Sequence, residues 1–181
     1  KMHIQHKWLL NNLLEFYKNP VNMEILKKII NREYLVHNNK KLSIRMVNWF
    51  VTNYAKQYFI VYDVPNAKES EPARRFIVWT NYKSTEDSYS KQMFDPYCRK
   101  ERILIPDKET SIETTIAQLH FFKWAILNKV LDYIVHHYDD IEKDMASRLN
   151  TAKKRCPTEG KTRKKREELS INACRSLRKE F

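Results

Sequence analysis

Between residues 4 and 30 the apolar positions recur every three or four residues: Ile4, Trp8, Leu9, Leu13, Phe16 and Tyr17, then Met23, Leu26, Ile29 and Ile30. That spacing predicts two amphipathic helices. Asn19 reads as the N-cap of the second, with Pro20 at its first position. A polar stretch from His37 to Lys41 follows. Ser43 then reads as the cap of a third helix running to about Gln57, with Ile44, Val47, Phe50, Val51, Tyr54 and Ala55 on its apolar side. Arg45, Asn48, Thr52 and Lys56 share its polar face.

The pattern changes at Tyr58. Residues 58–64 and 75–80 are β-branched and aromatic and predict two strands of a long-looped hairpin, separated by a proline-bearing loop at 65–72. A short helix is expected over 82–93, ending before Asp95-Pro96, and a third strand over 102–105, closed by Pro106. Thr110 and Glu113 have capping-box spacing. From there Ile116, Leu119, Phe122, Ile126, Val130, Ile134, Tyr138, Ile141, Met145 and Leu149 continue at helical intervals, which predicts one long helix with a kink near His136-His137. The expected fold is α+β: mostly helical, with a small antiparallel sheet of about three strands and one long C-terminal helix. The expected organisation is an N-terminal helical segment at 1–41, a core domain at 42–150 and a basic tail at 151–181.

Charge sharpens that last boundary. Residues 148–181 hold 12 Lys/Arg against 4 Asp/Glu, a net of +8 out of +12 for the whole chain of 181 residues. Such asymmetry points to a polyanionic partner contacted through the tail. Lys153, Lys154, Arg155, Lys161, Arg163, Lys164, Lys165 and Arg166 are its dense centre. Cations neutralising phosphates release counterions and give salt-sensitive, sequence-independent affinity. A solvated charge run or a targeting signal would show the same composition. Arg99, Lys100 and Arg102 beside Phe94 and Tyr97 form a second candidate, because aromatics among cations suit stacking plus phosphate contact. Core aromatics flanked by surface charge would look alike. Arg45, Asn48 and Thr52 form a third, since these side chains can read base edges; ordinary amphipathicity also produces such a face.

Other chemistry is poorly supplied. The single glycine, Gly160, excludes the P-loop and the dinucleotide fingerprint, which need two or three. The 147 residues before the tail contain none, so no strained glycine-built catalytic turn is expected there. The histidines lack metal-ligand spacing, and adjacent His136 and His137 face different sides of a helix. Cys98, Cys156 and Cys174 are widely spaced and read as reduced thiols; Cys98, next to Arg99-Lys100, lacks a local histidine base and reads as buried and inert. Carboxylate pairs occur at Glu86-Asp87, Asp139-Asp140 and Glu142-Asp144; the last four fall on the outer faces of the long helix and read as solvated surface rather than as a metal-dependent nuclease site. Trp49, Trp79 and Trp124 sit within apolar periodicity and read as core rather than as a sandwich for an alkylated base. No run is long enough for a membrane span, no signal peptide is expected in the first 16 residues, and Lys1 suggests a trimmed chain.

Four blocks carry a resemblance: LSIRMVNWFVTNY at 42–54, YSKQMFDPYCR at 89–99, TIAQLHFFKWA at 115–125 and KKREELS at 164–170. In that order they resemble a family of small basic proteins encoded by nucleocytoplasmic large DNA viruses, the giant-virus group. The resemblance implies a viral protein acting in the host cytoplasm, at the virus factory, or packed in the virion; it implies no activity and no site residue. The combined expectation is a non-enzymatic nucleic-acid-binding protein, DNA before RNA, serving late transcription or genome packaging. It would use no cofactor, metal or membrane. The alternative is a minor capsid or internal virion protein whose basic surface meets acidic protein partners.

Overall fold

Asn19 caps its helix as its sequence position predicts: the side-chain oxygen accepts from the Val21 amide at 2.9 Å, and Pro20 opens the helix. The computed structural model describes residues 4–66, 71–99, 101–107 and 110–154. Within it α1 (Ile4–Tyr17) and α2 (Pro20–Ile30) are followed by a single 3₁₀ turn, His37–Asn39. Ser43 caps α3 (Ile44–Trp49), accepting from the Met46 amide at 3.1 Å. The helix then widens into a π-helical stretch, Phe50–Tyr54, before α4 (Ala55–Gln57).

The fold is α+β and mostly helical, as expected, but its strands form two separate antiparallel hairpins rather than one sheet of three. β1 (Val61–Val64) pairs with β2 (Arg74–Ile77) in the register Val61↔Ile77 to Val64↔Arg74. β3 (Ile103–Asp107) pairs with β4 (Thr110–Thr114), with Ile105 opposite Ile112. Two readings are corrected here. Val78, Trp79 and Thr80 belong not to a strand but to α5 (Val78–Met93), so that helix starts four residues early. The segment 110–114 is a strand, not a helix start. Its alternation buries Ile112 against the core side, and cross-strand pairing outweighs the capping-box spacing. The working cap is Thr115, whose hydroxyl accepts from the Gln118 amide at 3.1 Å.

The expected long helix is three helices: α6 (Ile116–Leu127), α7 (Val130–His136) and α8 (Tyr138–Lys154). The interval of three or four residues continues through all three, which is why periodicity alone joins them. Asn128 ends α6: its amide donates to the Trp124 carbonyl at 2.8 Å and its side-chain oxygen accepts from Arg74 at 2.6 Å. Lys129 then turns the chain with φ of 56°.

α6 is buried on nearly all sides, through Ala117, Gln118, Leu119, Phe121, Phe122, Trp124 and Ala125. α1, α2 and α5 pack around it. Leu13, Tyr17, Leu26 and Ile29 share one core cluster with Phe50, Phe76, Phe94, with Leu119, Phe121, Phe122, Trp124 and Ala125 of α6, and with Val130, Leu131 and Ile134 of α7. Fully burying each such side chain contributes about 1.5–3 kcal/mol. Residues 1–146 form one compact unit and 147–181 a second, of which the last turns of α8 are described.

A body without glycine still needs sharp turns. Arg32, Asn38, Asn39, Phe59 and Lys129 all have φ between 48° and 60°. These turns are made without glycine: a Cβ-bearing residue in the left-handed region costs roughly 1–2 kcal/mol, less for Asn, and all five side chains are exposed, where no neighbour crowds the Cβ further.

Candidate nucleic-acid interface

Two of the three candidate groups meet. Asn48 and Thr52, one turn apart at the junction of α3 and the π-helical stretch, line a cleft of about 270 Å3 together with Arg99. The Thr52 hydroxyl donates to the Asn48 carbonyl at 2.7 Å and accepts from the Asn53 amide at 2.8 Å. The Asn48 side-chain amide has no hydrogen-bond partner among the described residues and is half-buried in the cleft wall.

α5 supplies the facing wall. Trp79, Tyr82, Lys83 and Glu86 recur at intervals of three, one and three residues, so they share one helical face. Tyr82 is buried among Phe94, Phe121 and Trp124, with ring centroids 5.9, 6.4 and 6.0 Å away. Burial, aided by Glu86, pushes its phenol up to about 12, so it stays protonated and donates to Glu86 at 3.4 Å. The Trp79 ring packs beside Tyr82 at 5.9 Å, and the Lys56 ammonium rests over it at 4.9 Å. The indole N–H of Trp79, like the Asn48 amide, is without a partner among the described residues.

The rim carries charge of both signs. Lys83 donates to Glu86 at 3.0 Å and to Asp87 at 2.7 Å, and Lys91 lies 3.8 Å from Glu86. These hydrogen bonds, Asp87 first, hold the Lys83 ammonium well above the ordinary lysine range. Arg99 grips Asp95 with two N–H groups, at 2.9 and 3.1 Å, while its plane lies 4.8 Å from the Tyr97 ring centre. Asp95 is itself fixed, since its carboxylate also accepts from the Tyr97 amide at 3.2 Å. Two carboxylates and three cations thus line the cleft, a net of +1, with the cations paired to those carboxylates.

The remaining candidates lie elsewhere. Arg45 is exposed on α3, outside the cleft lining. Arg102 pairs with Glu113 across the β3–β4 hairpin at 3.0 Å, and both side chains stay exposed. Cys98 is half-buried, and burial raises its thiol more than Arg102 lowers it, which disfavours a thiolate. Lys153 and Lys154 fall in the last turn of α8. Lys100, Arg155, Arg163, Lys164, Lys165 and Arg166 lie outside the described residues. Among the described residues no group of three or more His, Cys, Asp or Glu is placed to hold a metal ion, and no helix is long and apolar enough to cross a membrane.

The sequence reads Trp79 as core and Glu86 as one of a carboxylate pair, and gives no reading for Lys83 and Lys91; their common place on one cleft comes from the structure. Their signal was the i, i+4, i+7 spacing of Trp79, Lys83 and Glu86, hidden when residues 75–80 are read as a strand.

A small basic α+β protein with a mixed-charge polar cleft and a lysine- and arginine-rich C-terminus is what these features define. The chain belongs to DUF7197, a family of unknown function whose pattern matches residues 2–176. It is also similar to the uncharacterized protein L507 of Acanthamoeba polyphaga mimivirus, with 36% identity over 126 residues. That match covers 66% of this chain and 48% of the relative, so the matched part spans about half the relative's length. No solved structure matches the chain. The giant-virus resemblance carried by the four sequence blocks is therefore a family membership, with a viral relative.

Proposed function

We propose that the protein binds nucleic acid in the infected cell or virion without catalysing a reaction, in late transcription or genome packaging. The observation that carries this reading is the net +8 of residues 148–181. A segment with three cations for every carboxylate attracts a polyanion through counterion release. The meeting of Asn48, Thr52 and Arg99 in one cleft adds support, because it puts hydrogen-bonding, aromatic and cationic groups side by side. Binding is tested by fluorescence anisotropy of the full chain with labelled DNA from about 50 to 200 mM salt. Affinity falling steeply over that range is the expected result; absent or salt-independent binding ends the proposal.

One observation favours a second reading, a minor capsid or internal virion protein. A recess of about 720 Å3 on α2 is lined by Val21, Ile25, Tyr34, Leu35 and Val135, and both Val21 and Leu35 are more than half exposed. An uncovered apolar surface of this kind suits protein assembly. Shell association that survives nuclease treatment and removal of the virion core would select this reading.

A further inference from the structure

We infer that the Asn48–Trp79–Arg99 cleft receives one unstacked base of a single strand, so that the protein prefers single-stranded nucleic acid to duplex. The inference rests on the nucleic-acid reading above and goes further, to the form of the ligand and the place of one base.

Three observations lead to it. First, the Asn48 amide and the Trp79 indole N–H, neither of which has a partner among the described residues, belong to residues lining the same cleft. An amide offers a donor and an acceptor together, the pairing that a base edge presents. Second, the ring beside that amide is a tryptophan, and stacking on an aromatic face is the general means of holding an unstacked base. Lys56 rests over one face of this ring at 4.9 Å, so a base would stack on the other face, with the cation across the indole. Third, the charge inside is nearly balanced. Glu86 and Asp95 answer Lys83, Lys91 and Arg99. A phosphate entering the cleft would have to compete with these carboxylates for cations already paired, whereas a neutral base meets no such competition and finds acceptors for its N–H groups. Phosphates on either side of the base would meet the rim, where Lys91 is 78% exposed and can turn toward them. A duplex keeps its bases stacked and offers only edges in its grooves, so it cannot fill a recess of this kind without flipping a nucleotide out.

The test uses the full chain and three labelled probes of about 20 nucleotides: a single strand, its duplex, and a strand of the same phosphate number with abasic sites throughout. The single strand is expected to bind about tenfold more tightly than the other two, and Asn48→Ala to remove about five- to tenfold of its affinity while leaving the abasic strand unchanged. Asn48→Ala touches no internal hydrogen bond of the side chain, so it keeps the fold. Trp79→Leu, checked by circular dichroism, should act in the same direction. Equal binding of the intact and abasic strands, or an Asn48→Ala variant that binds the intact strand as the wild type does, overturns the inference and leaves general nucleic-acid binding standing. Failure of all three probes at low salt overturns both.

Discussion

The folded body and the C-terminal segment hold their charge in different ways. In the body, Lys40 sits between Asp139 and Glu142 at 2.8 and 2.7 Å, Lys83 between Glu86 and Asp87, Arg99 on Asp95, and Arg102 on Glu113. Residues 148–181 hold 12 Lys/Arg against 4 Asp/Glu, so the segment's own carboxylates cannot match its cations one for one. Net charge is a sum that hides this difference. A paired cation fixes local geometry and projects little field, and an exposed pair adds little stability. An excess of cations projects field and fixes no geometry. On the proposed reading, the body positions the nucleic acid and the C-terminal segment attracts it.

The strongest way to break that contrast is to neutralise each side. Replacing the eight cations from Lys153 to Arg166 by glutamine should weaken duplex binding at low salt by about a hundredfold or more, and flatten the salt slope by about 0.9 per lost phosphate contact. Lys83→Gln with Arg99→Gln should cost only a few-fold in the same titration. Equal losses would mean that the body supplies the field as well.

The next largest effect separates two asparagines. Asn128 joins Arg74 and the Trp124 carbonyl in a buried position. Asn128→Ala should destabilise the fold by about 2–4 kcal/mol in urea melts, because partners are left unsatisfied. Asn48→Ala should stay within about 0.5 kcal/mol of wild type, as surface changes do. Were Asn48 equally costly, it would be a structural residue and the cleft would lose its free amide. At the other end of α6, Thr115→Ala should cost about 1 kcal/mol by removing the N-cap. Lys129→Gly should raise stability by up to about 1 kcal/mol, since glycine relieves the left-handed turn and the pair with Asp132 is exposed.

The smallest effect is pH-dependent. His120 is partly buried against Tyr89 and Phe94, with Nδ1–H donating to the Met93 carbonyl at 2.8 Å. Burial lowers its pKa from the ordinary 6.5. The unfolded chain therefore binds this proton more readily than the folded one. The stability that neutral His120 contributes is complete above pH 6.5 and is lost as pH falls through the lowered value. Thermal melts between pH 7.5 and about 5 should show a drop in Tm that His120→Gln reduces; an unchanged profile would place the titrating group elsewhere.

Much of this was written locally. The caps at Asn19 and Ser43, the two N-terminal helices and the pairing of the first hairpin are visible in the chain, because a cap or an alternation acts over four to eight residues. So is the charge of residues 148–181, which is composition. Four decisions needed the assembled structure. Thr115 displaced Thr110 as cap because Ile112 had a partner strand. Asn128 broke a continuous helical pattern because Arg74, 54 positions earlier, reaches its side chain. Val78 and Trp79, β-forming by composition, became helical and turned Trp79 toward the cleft. Five turns took positive φ on residues with a Cβ. The sequence by itself determined the class of fold, the family and where the excess charge lies. Tertiary structure decided which polar groups are used up inside the fold and which, as at Asn48 and Trp79, have no partner among the described residues. The reason is that a hydrogen-bond partner distant along the chain leaves no mark on the local pattern.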